Sequence, residues 1–180
     1  MTLPVPIVSK PSIELAHHRI HEGNHFMVHK MYINVVAATK YFLIIPPPVP
    51  ANPNDTVEMH LIFEITTEPG GTLQLFEGST VTINGAPLVI NNNNRRSSAS
   101  SLVSVYDGPT FTNIGTLIFE GASAISGGEI GETDRNDEEF VLHPAKKYIF
   151  KFAPYVVAPA TITLTFELEW YDNRPSTSFV

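Results

Sequence analysis

Five histidines lie within thirteen residues near the beginning of the chain, at positions 17, 18, 21, 25 and 29. His21, His25 and His29 have the spacing at which a helix presents two imidazoles to one metal ion. Gly23-Asn24 interrupts the segment, however, and on a strand His25 and His29 would lie roughly 13 Å apart, too far for one ion. We therefore expect no metal site within a single chain. A metal shared between copies at a symmetry axis stays open, and interface hydrogen bonding is the favoured role.

The acidic segment 129–139 is the second group of residues whose side chains could bind a metal or take part in catalysis. Its carboxylates are the ligand type that Ca²⁺ prefers, but they lack the spacing of an EF-hand, and a solvated loop is favoured. Paired carboxylates also fit glycoside hydrolysis, although only in residue type. The chain has no nucleotide-binding, nucleophile-elbow or metalloprotease motif. We therefore predict that the protein is not an enzyme and has no catalytic residue, metal or cofactor.

The composition narrows the class of protein further. A chain of 180 residues suits one domain. Only 16% of the residues are charged, below the roughly 25% usual for soluble domains, which favours a surface covered by a partner or by other copies. The net charge of -7 argues against nucleic-acid binding. Cysteine is absent, which excludes disulfides and thiolate zinc sites. We see no signal peptide and no apolar run near the roughly 20 residues that span a bilayer, so no membrane partner is expected.

Two parts are expected, an N-terminal arm (1–24) and a body (25–180). Residues 1–12 contain three prolines, which restrict the backbone to extended conformations. Leu3, Val5 and Ile7 make this segment unusually apolar for a free tail. The arm is therefore predicted to order against a neighbour, and a disordered terminus is the alternative.

Alternation of apolar and polar residues predicts an all-β body. In Thr161–Trp170 every second residue is apolar, and residues 56–66 repeat this pattern, which is typical of an antiparallel sheet with one packed face. Further strands are predicted at residues 25–36, 41–45, 72–76, 80–83, 88–90, 102–106, 115–120, 139–142 and 148–152. Pro69-Gly70-Gly71 and Asn84-Gly85 are predicted hairpin turns, and the proline-rich residues 46–55 an exposed connector. About ten short strands separated by turns predict an antiparallel, jelly-roll-like β-sandwich.

The segment Asn91–Ser101, NNNNRRSSASS, is polar and low in complexity. Asparagine and serine side chains satisfy turns locally, so a flexible loop is one interpretation. Arg95 and Arg96 could instead bind the carboxylates of a partner, because guanidinium groups hold carboxylates through two parallel hydrogen bonds.

Four segments together resemble a known family: IELAHHRIHEGNHFMV, HLIFEITTEPGGTLQLFEG, INNNNRRSS and KKYIFKF…LTFELEWYD. They are similar to the capsid decoration, or cement, proteins of tailed bacteriophages, over about residues 13–172. The resemblance implies a jelly-roll-like body and many copies on the outer surface of the phage head. It also implies binding to the major capsid protein, often as a homotrimer on local three-fold axes. It offers no catalytic residues. Residues 1–12 and Pro46–Pro48 are not part of the pattern.

The residues expected to bind the capsid or another partner lie in the arm, at its junction with the body and in the asparagine-rich loop. They are Leu3, Val5, Ile7, His17, His18, Arg19, His21, Arg95 and Arg96. The alternative function is a tail, adaptor or surface-displayed module that binds host glycan or a receptor. A glycan site would place exposed aromatic residues beside Asp or Asn, as in Tyr106-Asp107 and Tyr171-Asp172-Asn173.

Overall fold

The computed structural model describes residues 20–49, 58–124, 126–131 and 140–173. The predicted arm lies outside them except for residues 20–24, which contain one helical turn. Everything else is built from strands and their connections. The strands are β1 (His25–Val36), β2 (Lys40–Ile45), β3 (Glu58–Glu68), β4 (Gly71–Glu77), β5 (Thr80–Ile83), β6 (Ala86–Pro87), β7 (Asn91–Asn92), β8 (Ser104–Asp107), β9 (Thr110–Asn113), β10 (Thr116–Ala122), β11 (Gly128–Gly131), β12 (Phe140–Leu142), β13 (Tyr148–Pro154) and β14 (Thr161–Asn173).

The strands form two antiparallel sheets that pack face to face. Sheet A has the order β11-β3-β14-β1-β7, with β12 pairing to β3 beside β11. Sheet B has the order β10-β4-β13-β2-β8-β6. Successive strands β1 to β4 alternate between the sheets, and so do β10, β11, β13 and β14. This alternation is the strand order of a jelly roll, so the predicted antiparallel sandwich is confirmed.

The core forms where the predicted period-2 rows of the two sheets meet. Ile162, Leu164, Phe166, Leu168 and Trp170 are all buried, as the alternation in β14 predicts. Phe166 of sheet A stacks on Phe42 of sheet B with ring centroids 3.7 Å apart. Burying each such side chain contributes about 1.5–3 kcal/mol, so these rows supply much of the driving force for folding.

Residues 78–115 form an insertion between β4 and β10. Within it β5 pairs with β9, β6 pairs with β8, β8 extends sheet B beside β2, and β7 extends sheet A beside β1. The strand predicted at 88–90 is therefore wrong, because the chain crosses there from the edge of one sheet to the edge of the other. Leu88 and Ile90 instead pack against the core from the side. The insertion thus pairs with the otherwise open edges of β1 and β2.

Three predicted connections are also wrong in detail. Pro69-Gly70 is not a hairpin turn, because β3 and β4 belong to different sheets. Asn84-Gly85 joins strands with different partners, and only Gly85 has a positive φ (94°), whereas a type I′ turn needs two such residues. In the predicted exposed connector 46–55, Pro46 and Pro47 are buried, and the carbonyl of Pro47 accepts from the N–H of Ala145 at 3.4 Å, whereas Pro48 and Val49 are exposed as predicted. Residues 50–55 lie outside the described residues.

Candidate functional site: the asparagine-rich loop and the start of strand β1

Short-range hydrogen bonds fold the asparagine-rich loop, residues 91–101, into consecutive turns. The N–H groups of Asn94 and Arg96 donate to the side chains two residues earlier, Asn92 Oδ1 at 2.9 Å and Asn94 Oδ1 at 3.1 Å. Ser97 Oγ accepts from the N–H of Ala99 at 3.1 Å. The expectation that these side chains satisfy turns locally is confirmed. The turns follow one another because the asparagine and serine residues that close them stand close together in the sequence.

The same loop is bound to the segment that leads into β1. Asn92 Nδ2 donates to the carbonyl oxygen of Gly23 at 2.8 Å, and Asn94 Nδ2 donates to that of His21 at 3.1 Å. Gly23 has a φ of +75°, and a Cβ there would collide with Ser97. Only glycine fits this close approach. The start of β1 and the asparagine-rich loop therefore form one surface.

His25 lies buried at the centre of this junction. Asn93 Nδ2 is 2.7 Å from His25 Nδ1, and an amide nitrogen can only donate, so Nδ1 accepts and the neutral ring carries its proton on Nε2. Nε2 is 3.7 Å from a Glu169 carboxylate oxygen. No group of three His, Cys, Asp or Glu side chains among the described residues could hold a metal ion. His25 thus acts as an interior hydrogen-bonding group, while His21 and His29 are exposed.

Arg95 and Arg96 are exposed on the loop. Arg95 Nη1 donates to Asn91 Oδ1 at 3.3 Å. Within the part of the chain that the structure describes, neither arginine forms an ion pair with a carboxylate. Two positive charges on a chain of net charge -7 are therefore held on an ordered loop and remain available to a partner.

A cavity of about 310 Å³ lies between this loop and the body. Arg95 and Ser101 of the loop line it, together with Phe26 of β1. Ser101 Oγ accepts from Trp170 Nε1 at 3.2 Å and from the N–H of Val103 at 3.0 Å. Trp170 is fully buried and stacks on Phe26 at 6.2 Å. The cavity wall is thus bonded directly to the core of the sandwich.

The structure brings together three of the predicted partner-binding residues, His21, Arg95 and Arg96. The other six, Leu3, Val5, Ile7, His17, His18 and Arg19, lie outside the described residues. Sequence reasoning missed the roles of Asn92 and Asn94, which fold the loop and bind it to residues 21–23, and of Ser101, which binds it to Trp170. The run of four asparagines is a signal for turns, but no local pattern indicates which distant carbonyls they contact.

The aromatic residues proposed for a glycan site have other contacts. Tyr171 is buried and stacks on His60 at 4.5 Å. Asp107, which follows Tyr106, accepts from the Tyr32 hydroxyl at 2.5 Å and lies 3.6 Å from Lys30 Nζ. Burial and this hydrogen bond raise the pKa of Tyr32 far above its usual range. Asp107 therefore joins the edges of the two sheets.

No protein-family model matches this chain, and no curated protein matches it significantly. In the described residues, no helix has the length and apolar character needed to cross a membrane.

Proposed function

We propose that this protein is a structural, non-enzymatic virion protein that attaches to the outer surface of a phage head and cements the major capsid protein lattice. The observation that carries the proposal is the loop bearing Arg95 and Arg96, bound to residues 21–25, where the N-terminal segment enters the body. The last residues of the predicted arm, 20–24, and a cationic loop on one surface suit attachment to a large protein lattice. The family resemblance of the sequence supplies the identity of that lattice.

The described polar clusters support a structural role. Glu77 Oε1 accepts from Lys146 Nζ at 2.6 Å, and its other oxygen accepts from the Tyr148 hydroxyl at 2.9 Å. The Tyr32–Asp107 bond likewise connects β1 of sheet A to β8 of sheet B. In both clusters the groups satisfy one another and join strands, which stabilises a sandwich that must withstand stress on a shell.

Self-association, as a homotrimer, is part of the proposal. The low share of charged residues and several exposed apolar side chains at one end of the sandwich support it. Ile33, Val36 and Val157 are 62%, 58% and 79% exposed. Apolar residues exposed close together are typical of protein interfaces. The three-fold state itself comes from the resemblance.

Retention on purified heads of the phage that encodes the chain tests the proposal. Full-length protein should co-sediment with heads at hundreds of copies per particle, measured by quantitative gel. An Arg95→Gln, Arg96→Gln variant should lose retention at least about tenfold, because buried charged hydrogen bonds are worth about 1.5–3 kcal/mol each. Its thermal unfolding should be unchanged, since neither arginine supports the core.

The matched control is Lys147→Gln, which removes one positive charge away from the loop and should retain normal binding. A few to tens of copies per particle, located on tails, would support the glycan- or receptor-binding alternative instead. Normal retention of the double arginine variant would refute the assigned surface.

A further inference from the structure

We infer that the cavity beside the asparagine-rich loop is a receptor for one carboxylate side chain of a protein partner, held by the Arg95 guanidinium and the Ser101 hydroxyl. The inference rests on the proposed function in one respect, that the partner is a protein surface. It adds the chemical group that is recognised and the place where it binds.

Hydrogen-bond donors dominate the polar lining of this cavity. A guanidinium carries five N–H groups, and Arg95 uses one of them on Asn91. Ser101 Oγ already accepts two hydrogen bonds, from Trp170 and Val103, so its own proton is left to donate. In the described part of the chain no acceptor for that proton is found.

The amide oxygens of the two asparagines in the lining each accept a hydrogen bond from within the loop. Asn91 Oδ1 accepts from Arg95, and Asn92 Oδ1 accepts from the N–H of Asn94. Both amide protons of Asn92 are also used, on Gly23 and Ala99. None of the described residues that line the cavity carries a carboxylate. A cavity with a cation, spare donors and no carboxylate among the described residues of its lining complements an anion.

The shape and apolar walls favour a carboxylate on a short aliphatic stem. Ile90, Ala99 and Phe26 contribute the apolar part of the lining, which suits the methylene groups of a glutamate. Phe26 is 1% exposed and offers no open ring face on which a sugar could stack. A doubly charged phosphate would meet one guanidinium in the lining, and the single positive charge of that group would leave half of the phosphate charge unneutralised. A protein carboxylate therefore fits better than a sugar acid or a phosphate.

The geometry also supplies a reporter of binding. Trp170 is the single tryptophan of the chain, and its indole N–H donates to the hydroxyl of Ser101, a residue that lines the cavity. A carboxylate that accepts the Ser101 proton polarises this hydroxyl and strengthens the indole hydrogen bond. Occupancy of the cavity should therefore shift the indole N–H resonance of Trp170.

The test is a titration of the isotope-labelled full chain with N-acetyl-glutamate methylamide, following the Trp170 indole resonance. We expect a saturable shift in the millimolar range and at least about tenfold weaker binding of the isosteric glutamine compound. Arg95→Gln should abolish binding, Arg95→Lys should weaken it, and Lys147→Gln should leave it unchanged. Ser101→Ala should weaken binding while the chain stays folded by circular dichroism.

Equal shifts with the glutamine compound, or full binding by Arg95→Gln, would overturn the inference. Tighter binding of glucuronate or of inorganic phosphate would contradict the inference that the bound anion is a carboxylate side chain of a protein. The titration uses no phage heads, so its outcome is separable from that of the proposed function. If the glutamate compound binds but the Arg95→Gln, Arg96→Gln variant stays on heads, the carboxylate receptor stands and the proposed attachment surface fails. If the glutamate compound does not bind but the variant is lost from heads, the attachment surface stands and the carboxylate receptor fails.

Discussion

The outer faces of the two sheets differ sharply in character. On sheet A, His29 of β1 lies opposite Glu167 of β14, which in turn lies opposite Glu64 of β3. This row is partly or fully exposed to solvent. On sheet B a continuous apolar row crosses neighbouring strands in register, from Leu117 through Phe76, Ile149 and Leu43 to Tyr106. Leu43 and Ile149 are fully buried, although they point away from the main core.

The insertion explains the difference. It leaves β8 beside β2, where the N–H of Gly108 donates to the carbonyl of Tyr41 at 3.0 Å, and it must rejoin the body at β10 beyond β4. Strand β9 therefore lies on the outer side of sheet B, next to β2. Phe111 of β9 contacts Tyr41 edge-on at 5.2 Å, which places β9 on that face. Within the described residues, the sandwich thus gains a second layer over the outer face of sheet B.

The largest expected effect comes from Ile149→Ala. This residue is outside the main core, yet truncating it should cost about 2–4 kcal/mol of unfolding free energy. The reason is that the covered outer face of sheet B cannot collapse into the void that the lost side chain leaves. Thr165→Ala, on the outer face of sheet A, is the control and should stay within about 0.5 kcal/mol of wild type. Urea unfolding followed by circular dichroism measures both. Similar small losses for the two variants would mean that the insertion does not seal sheet B.

A middle-sized effect is expected for Phe111→Ala, which removes the aromatic contact between the insertion and sheet B. The loss should be about 1–2 kcal/mol, of which 0.5–1.5 kcal/mol is coupling to Tyr41, as is usual for an aromatic pair. A double-mutant cycle with Tyr41→Ala measures that coupling. Thr110→Ala, on the same strand with an exposed side chain, is the matched control. Zero coupling would show that β9 is held over the sheet by its ends alone.

The sequence predicted the parts of the fold that depend on short-range patterns. The bounds of β1 match the prediction, and every described inward residue of β14 is buried as expected. The two-layered side of sheet B also had a signal, since KYFLII in β2 is an apolar run without alternation, typical of a strand buried on both faces. What covers that face could not be predicted, because β8 and β9 find their partners at long range. The hairpin turn predicted at Asn84-Gly85 is wrong for the same reason.

The candidate site, too, could be predicted from the sequence only in part. Arg95 and Arg96 could be identified from residue type, because exposed arginines suit carboxylate partners. Their position next to His21 could not, since it depends on Asn94 and Asn92 reaching carbonyls about seventy residues earlier. Side-chain amides give no periodic signal for such contacts. The tie between Ser101 and Trp170 has the same origin.

The smallest expected effects come from replacing single glutamates by glutamine. The change in unfolding free energy should have opposite signs on the two sheets. Glu77 stands where the insertion leaves β4, and the hydrogen bond from Lys146, helped by that from Tyr148, holds its carboxyl pKa below the usual range. A folded pKa below the unfolded value of about 4.3 contributes stability above that pH, and the contribution is lost as pH falls through the folded pKa. Because the pair is partly exposed, Glu77→Gln should cost less than about 1 kcal/mol at pH 7.

Glu167→Gln on sheet A supplies the comparison. Glu167 pairs in register with Glu64 on the neighbouring strand. Like charges directly opposite each other oppose strand pairing, so removing the Glu167 charge at pH 7 should be neutral or should stabilise the fold by a few tenths of a kcal/mol. Urea unfolding of both variants and wild type at pH 7, 5, 4 and 3 measures the signs. The deficit of Glu77→Gln should shrink to zero at the acid end, because wild-type Glu77 is then protonated. A deficit that persists at pH 3 would mean that Glu77 acts through packing, and a loss of stability in Glu167→Gln would mean that the outer face of sheet A is also organised by its charges.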